Sequence, residues 1–77
     1  KWLENFVDEL IGQLPPSRKK IFILSKKEGF SNKQIAEIMN ISVSTVETQL
    51  SLAIKFIRKE FQKNWDKLFL LLICLLI

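Results

Sequence analysis

Leu3, Phe6, Val7, Leu10, Ile11 and Leu14 recur at three- and four-residue spacings and so share one helical face. That spacing predicts a first helix with a buried stripe. Pro15 and Pro16 end it, because proline has no donor for a helix interior and pushes the residue before it toward extended geometry. Pro16 suits the first position of a second helix. Ile21, Leu24 and Phe22 or Ile23 supply that helix's inner face, with Arg18, Lys19, Lys20, Lys26 and Lys27 outside or at its ends. Gly29 is placed for the left-handed turn that closes it.

Ser31 to Gln34 reads Ser-x-x-Gln, a capping box in which the hydroxyl and the amide side chain each satisfy an exposed backbone N–H. A third helix starts there. Its apolar residues are Ile35, Ile38 and Met39, and small Ala36 lets a neighbour come close. Asn40 accepts a left-handed conformation better than most residues and ends this helix in a tight bend. Ser42 caps the next helix, with Ser44 and Glu47 as a competing start. Val46, Leu50, Ala53, Ile54, Ile57 and Phe61 then form the stripe of the longest helix, which runs to the basic end at Arg58, Lys59 and Lys63.

Every residue from 68 to 77 is apolar. As a helix this tail reaches about 15 Å at about 1.5 Å per residue, half of a hydrocarbon core of roughly 30 Å. It is too short to span alone. A helix lying in a membrane surface keeps a polar face, and this segment has none, so the expected role is packing on the domain or self-association with another chain. The alternation expected of strands is absent. The reading is therefore all-α: a small bundle of four helices containing a helix-turn-helix in residues 1–63, followed by an apolar C-terminal helical tail in residues 64–77.

Composition narrows the chemistry. The 77 residues include no His and one Cys, Cys74, which leaves no soft metal site, no intrachain disulfide and no histidine base for a serine nucleophile. Neither an enzyme nor a bound cofactor is expected. The lone cysteine and the lack of an export signal fit a cytoplasmic protein. The start at Lys1 with a helical pattern already under way suggests a piece of a longer chain. Charge is unevenly spread: residues 18 to 63 carry ten Lys and Arg against Glu28, Glu37, Glu47 and Glu60. Such a surplus attracts a polyanion.

Two helices joined by a short bend, the second opening with small polar residues, fit a helix-turn-helix. An α-helix fits the major groove of DNA, where each base pair shows a distinct set of donors, acceptors and methyls. Buried Ile35, Ala36, Ile38, Ile41, Val46 and Leu50 are expected to set the angle between the helices. With Val46 and Leu50 inward, Ser44, Thr45, Glu47, Thr48, Gln49 and Ser51 become candidates for base contact, Gln49 with adenine and Glu47 with cytosine. For Glu47 a favourable charge effect near the helix start competes with base contact. Ser42 caps the reading segment. Ser31, Asn32 and Lys33 sit at a helix N-terminus suited to phosphate, and Arg18, Lys55 and Arg58 are further phosphate candidates that position rather than read.

The stretch "LPPSRKKIFILSKKEGFSNKQIAEIMNISVSTVETQLSLAIKFIRKEF", residues 14 to 61, resembles region 4 of a bacterial sigma factor of the extracytoplasmic-function type. Its most specific elements are the Leu14-Pro15 opening, the Glu28-Gly29-Phe30-Ser31 junction, Gln34 to Ile38, and Ile41 to Val46. The resemblance implies recognition of the −35 element of double-stranded promoter DNA while docked on the β-subunit flap of core RNA polymerase, with an anti-sigma factor as a further partner. It assigns groove reading to Ser42 through Ser51 and backbone contact to Ser31 through Lys33. Many relatives carry a basic residue where this chain has Glu47 and Gln49. A similar segment occurs in the DNA-binding output domains of response regulators, and a protein-docking module that keeps the helix-turn-helix as scaffold is a third reading.

Overall fold

A computed structural model of the chain describes residues 1–63 and 73–76. Four helices follow one another: α1 (Trp2–Gly12), α2 (Pro16–Lys26), α3 (Asn32–Met39) and α4 (Val43–Lys63). Most of the predicted tail, residues 64–72 and 77, lies outside the described residues, while residues 73–76 are helical. Among the described residues no helix is long and apolar enough to cross a membrane.

The helix ends are built from local bonds. Pro15 is extended (φ −55°, ψ 148°) and its carbonyl accepts from the Lys19 N–H at 2.8 Å, so Pro16 opens α2 at the position where its missing donor costs nothing. Past the end of α2, Gly29 takes φ 76° and the Phe30 N–H returns to the Leu24 carbonyl. The capping box at Ser31 is complete: the Gln34 N–H donates to Ser31 Oγ at 3.1 Å, and the Ser31 N–H donates to Gln34 Oε1 at 2.9 Å. Asn40 stands in the left-handed region (φ 56°, ψ 49°). Around it the Asn40 N–H bonds to the Glu37 carbonyl and the Ile41 N–H to that of Ala36, a Schellman closure. At the next start Ser42 prevails over Ser44, since Ser42 Oγ accepts from the Thr45 N–H at 3.0 Å.

Two clusters of buried side chains share α4. Ile21 of α2, Ile35 and Ala36 of α3, and Val46 and Leu50 of α4 form the first, with Leu24, Met39 and Ile41 packed against it. Ile11, Leu14, Phe22 and Ala53 form the second, flanked by Val7, Ile23, Phe56 and Ile57. Phe22, not Ile23, is the buried member of that pair. At the far end of α1, Trp2 stacks on Phe6 at 5.4 Å, and Phe6 meets the edge of Phe61 on α4 at 5.3 Å. Cys74 and Leu75 line a recess with Lys1, Trp2 and Leu3, so this short described stretch faces the start of α1.

Three apolar positions depart from the expected stripes. Ile38 is 50% exposed and contributes little to the angle between α3 and α4, because α3 turns Ile35 and Ala36 inward and leaves Ile38 on its open side. Leu3 and Ile54 are also exposed. On α4 the inward line bends from Ala53 to Phe56 and Ile57, toward α1, and passes Ile54 by.

Leu50→Ala is expected to cost about 2–5 kcal/mol, whereas Ile54→Ala stays within about 1 kcal/mol, as surface changes do; urea midpoints of the two variants check the difference. Asn40→Ala places an ordinary side chain in a left-handed backbone and should lower stability by about 1 kcal/mol, while Asn40→Gly should not, a contrast thermal melting can read.

Candidate nucleic-acid interface

The surface of α4 opposite the buried seam is polar from its first turn. Ser44, Thr48, Ser51, Lys55 and Arg58 are spaced four, three, four and three residues apart and so form one stripe. All five are exposed. Val46 and Ala53 have no exposed surface and Leu50 has 9%, which fixes the stripe outward by the simple rotation of the helix. Thr45 and Glu47 stand exposed on either side of it.

Hydrogen bonds within this surface decide what each side chain has left to offer. Thr48 Oγ1 donates to the Ser44 carbonyl at 3.0 Å, so its hydroxyl keeps acceptor lone pairs and its methyl for a ligand. Ser42 Oγ and Thr45 Oγ1 lie 2.8 Å apart, and Ser42 also caps the helix. Ser42 is thereby occupied with structure. Glu47 is exposed in the second turn of α4, beyond the first turn where the helix dipole favours an anion. Lys55 and Arg58 border a shallow groove with Ser51, Leu52 and Ile54.

Gln49 differs from its neighbours. It is half-buried, on the flank between the seam and the polar stripe, and its Oε1 accepts from Arg18 Nε at 2.9 Å. The bond joins α2 to α4 across 31 residues of sequence. Arg18, expected to meet phosphate on its own, is instead tied to a candidate base-reading residue. Nothing in the spacing of either residue announced the pair, because it depends on how α2 crosses α4.

At the start of α3 the capping box consumes the backbone N–H groups of Ser31 and Gln34 and the Ser31 hydroxyl. Among the described residues the N–H groups of Asn32 and Lys33 have no such partner, and the Lys33 side chain is exposed. These two, rather than Ser31, have donors to spare for a phosphate. The structure thus brings the α4 stripe, Gln49 and Arg18 together on one continuous surface and places the α3 start on the helix that precedes it.

A second surface escaped the reading of the sequence. Pro16, Ile23, Leu24 and Phe30 line an apolar groove on the outer side of α2, bordered by Lys19, Lys20 and Glu28. Phe30, 37% exposed, is its clearest mark. An aromatic following a Gly turn carries no sign in the sequence of which side it will face.

No curated protein and no solved structure matches the chain. The family model described as "Sigma-70, region 4" matches residues 7–57, about two-thirds of the chain, and takes in the second half of α1, α2, the helix-turn-helix and most of α4. That family consists of DNA-binding domains through which sigma factors recognise promoters in company with RNA polymerase, and it is not a family of enzymes. The match favours this assignment over an output domain of a response regulator. The chain belongs to the sigma-70 region 4 family.

Proposed function

We propose that residues 1–63 bind the −35 element of promoter DNA as region 4 of an extracytoplasmic-function sigma factor in the cytoplasm, with α4 in the major groove. The observation that carries the reading is the two-sidedness of α4: Val46, Leu50 and Ala53 are sealed in the core while Ser44, Thr48, Ser51, Lys55 and Arg58 face outward as one stripe. Thr45, Thr48 and Ser51 offer hydroxyls and methyls to base edges. Lys55, Arg58 and Lys33 supply charge for phosphates. Docking on the β-subunit flap raises the effective concentration of a module whose own DNA contacts are few, and an anti-sigma factor covering the same domain would withhold it. Support for these partners comes from the family's general association with DNA and RNA polymerase and from the exposed apolar and basic surfaces, including the groove beside Phe30.

Fluorescence anisotropy of labelled duplex DNA across a salt series tests the proposal. Affinity should fall steeply with salt, and Lys55→Ala or Arg58→Ala should each weaken binding to all sequences alike and reduce the logarithmic salt slope by about 1. Absence of binding to any duplex at low salt, together with a salt-insensitive complex with protein, would support the docking-module reading instead. Self-association through the tail, where Leu75 and Leu76 stand about four-fifths exposed, predicts that removing residues 68–77 turns an oligomer into a monomer by light scattering; a monomer both before and after removal would exclude it.

A further inference from the structure

We infer that Arg18 sets base preference through Gln49, turning that glutamine from a reader of adenine into part of a cationic, donor-rich edge that favours guanine. The inference rests on the DNA-binding reading above and adds to it a positioning residue from a different helix.

Arginine has donors and no acceptor, so the amide atom facing Arg18 Nε at 2.9 Å is the oxygen of Gln49, whichever way an isolated amide would turn. The bond is charge-assisted and half-sheltered from water, which strengthens it relative to a surface pair of neutral groups. A glutamine that reads adenine needs both ends of its amide: the oxygen accepts from N6 while the nitrogen donates to N7. Here one of the oxygen's two lone pairs is already engaged by a cation, which weakens the oxygen as an acceptor for a second donor. What remains unengaged is the amide NH2 of Gln49 and the other guanidinium donors of Arg18, with no further hydrogen bond for either side chain among the described residues. Guanine shows two acceptors in the major groove, N7 and O6, and no donor. Adenine shows N7 beside the N6 amino group, whose donor meets the Arg18 charge and an oxygen with a single lone pair left.

Arg18 is well placed for such a task. It lies in the first turn of α2, three and four residues before the buried Ile21 and Phe22 that anchor this helix in the core. Its side chain reaches α4 beside Leu50, at the flank between the buried seam and the exposed stripe. The distance between the two helices is therefore set by the core and not by the pair itself.

Selection of bound duplexes by the full chain with core polymerase, run in parallel for the unaltered protein, Arg18→Ala, Arg18→Lys and Gln49→Ala, reads the effect one base pair at a time. The unaltered protein should prefer guanine at one position. Arg18→Ala frees the Gln49 oxygen, and the guanine-to-adenine ratio at that position alone should fall about tenfold, the size of one good base contact. Arg18→Lys retains the charge without the planar fork and should keep the salt slope while losing most of the preference. Gln49→Ala should flatten the same position. Urea midpoints for each variant confirm folding, and Arg18→Lys carries the test if the alanine variant does not fold. A uniform loss over all sequences with a salt slope lowered by about 1 would make Arg18 an ordinary phosphate contact and overturn the inference, as would adenine preference in the unaltered protein. If no variant or parent binds any duplex, the DNA-binding reading falls and this one with it; specific binding with an unmoved preference in Arg18→Lys and Arg18→Ala sinks this one alone.

Discussion

The fold depends on the burial of one side of α4. Val46 and Leu50 close the cluster with α2 and α3, and Ala53 closes the cluster with α1 and α2, so a single seam holds all three other helices. Because a helix rotates each residue by a fixed step, sealing that seam also determines which side chains face outward. Stability and recognition are thus opposite faces of one constraint. The small side chain of Ala53 matters here as much as the large ones, since it leaves room for Leu14 and Phe22 to approach the helix backbone.

The bend between α3 and α4 carries the second constraint. An eight-residue helix is far too short to persist alone in water, and α3 is held by a complete capping box at one end, a left-handed Asn40 at the other, and two buried residues between them. Ser42 then restarts the chain within three residues of Met39. With so few residues in the joint, little freedom remains for α4 to swing relative to α3. The cost is that several polar groups which resemble ligand contacts, Ser31 and Ser42 above all, are already occupied in building the joint.

Features decided within four or five residues were legible in the sequence. The capping box at Ser31, the left-handed Asn40, the turn at Gly29 and the opening of α2 at Pro16 depend on local chemistry and stand as expected. The inward positions of Val46 and Leu50 were legible too, because a long stripe leaves one way to bury it. Ile38 and Ile54 were misread for a different reason: each fits its own helix's pattern, and exposure follows from which neighbour fails to cover it. Phe56, skipped by the expected stripe, is packed because α1 crosses α4 there. The bond between Arg18 and Gln49 is the extreme case, since it joins two residues 31 apart whose proximity is a product of the whole fold.

Charge is arranged to match this division of labour. Among the described residues no charged side chain is buried, so the core carries no electrostatic cost, and the surplus of lysine and arginine is free to lie at the periphery. Lys55 and Arg58 extend the polar stripe beyond its hydroxyl-bearing part, while Lys33 stands at the start of α3. A helix in a groove needs neutral, short side chains where it meets base edges and cations where its flanks meet phosphates. That is the order found along α4, from Ser44 through Ser51 to Lys55 and Arg58. Glu47 is the exception, an exposed anion beside the polar stripe, where its charge opposes the approach of a phosphate. A weakly bound domain of this kind gains from attachment to a larger assembly, because tethering replaces contacts that the surface does not itself provide.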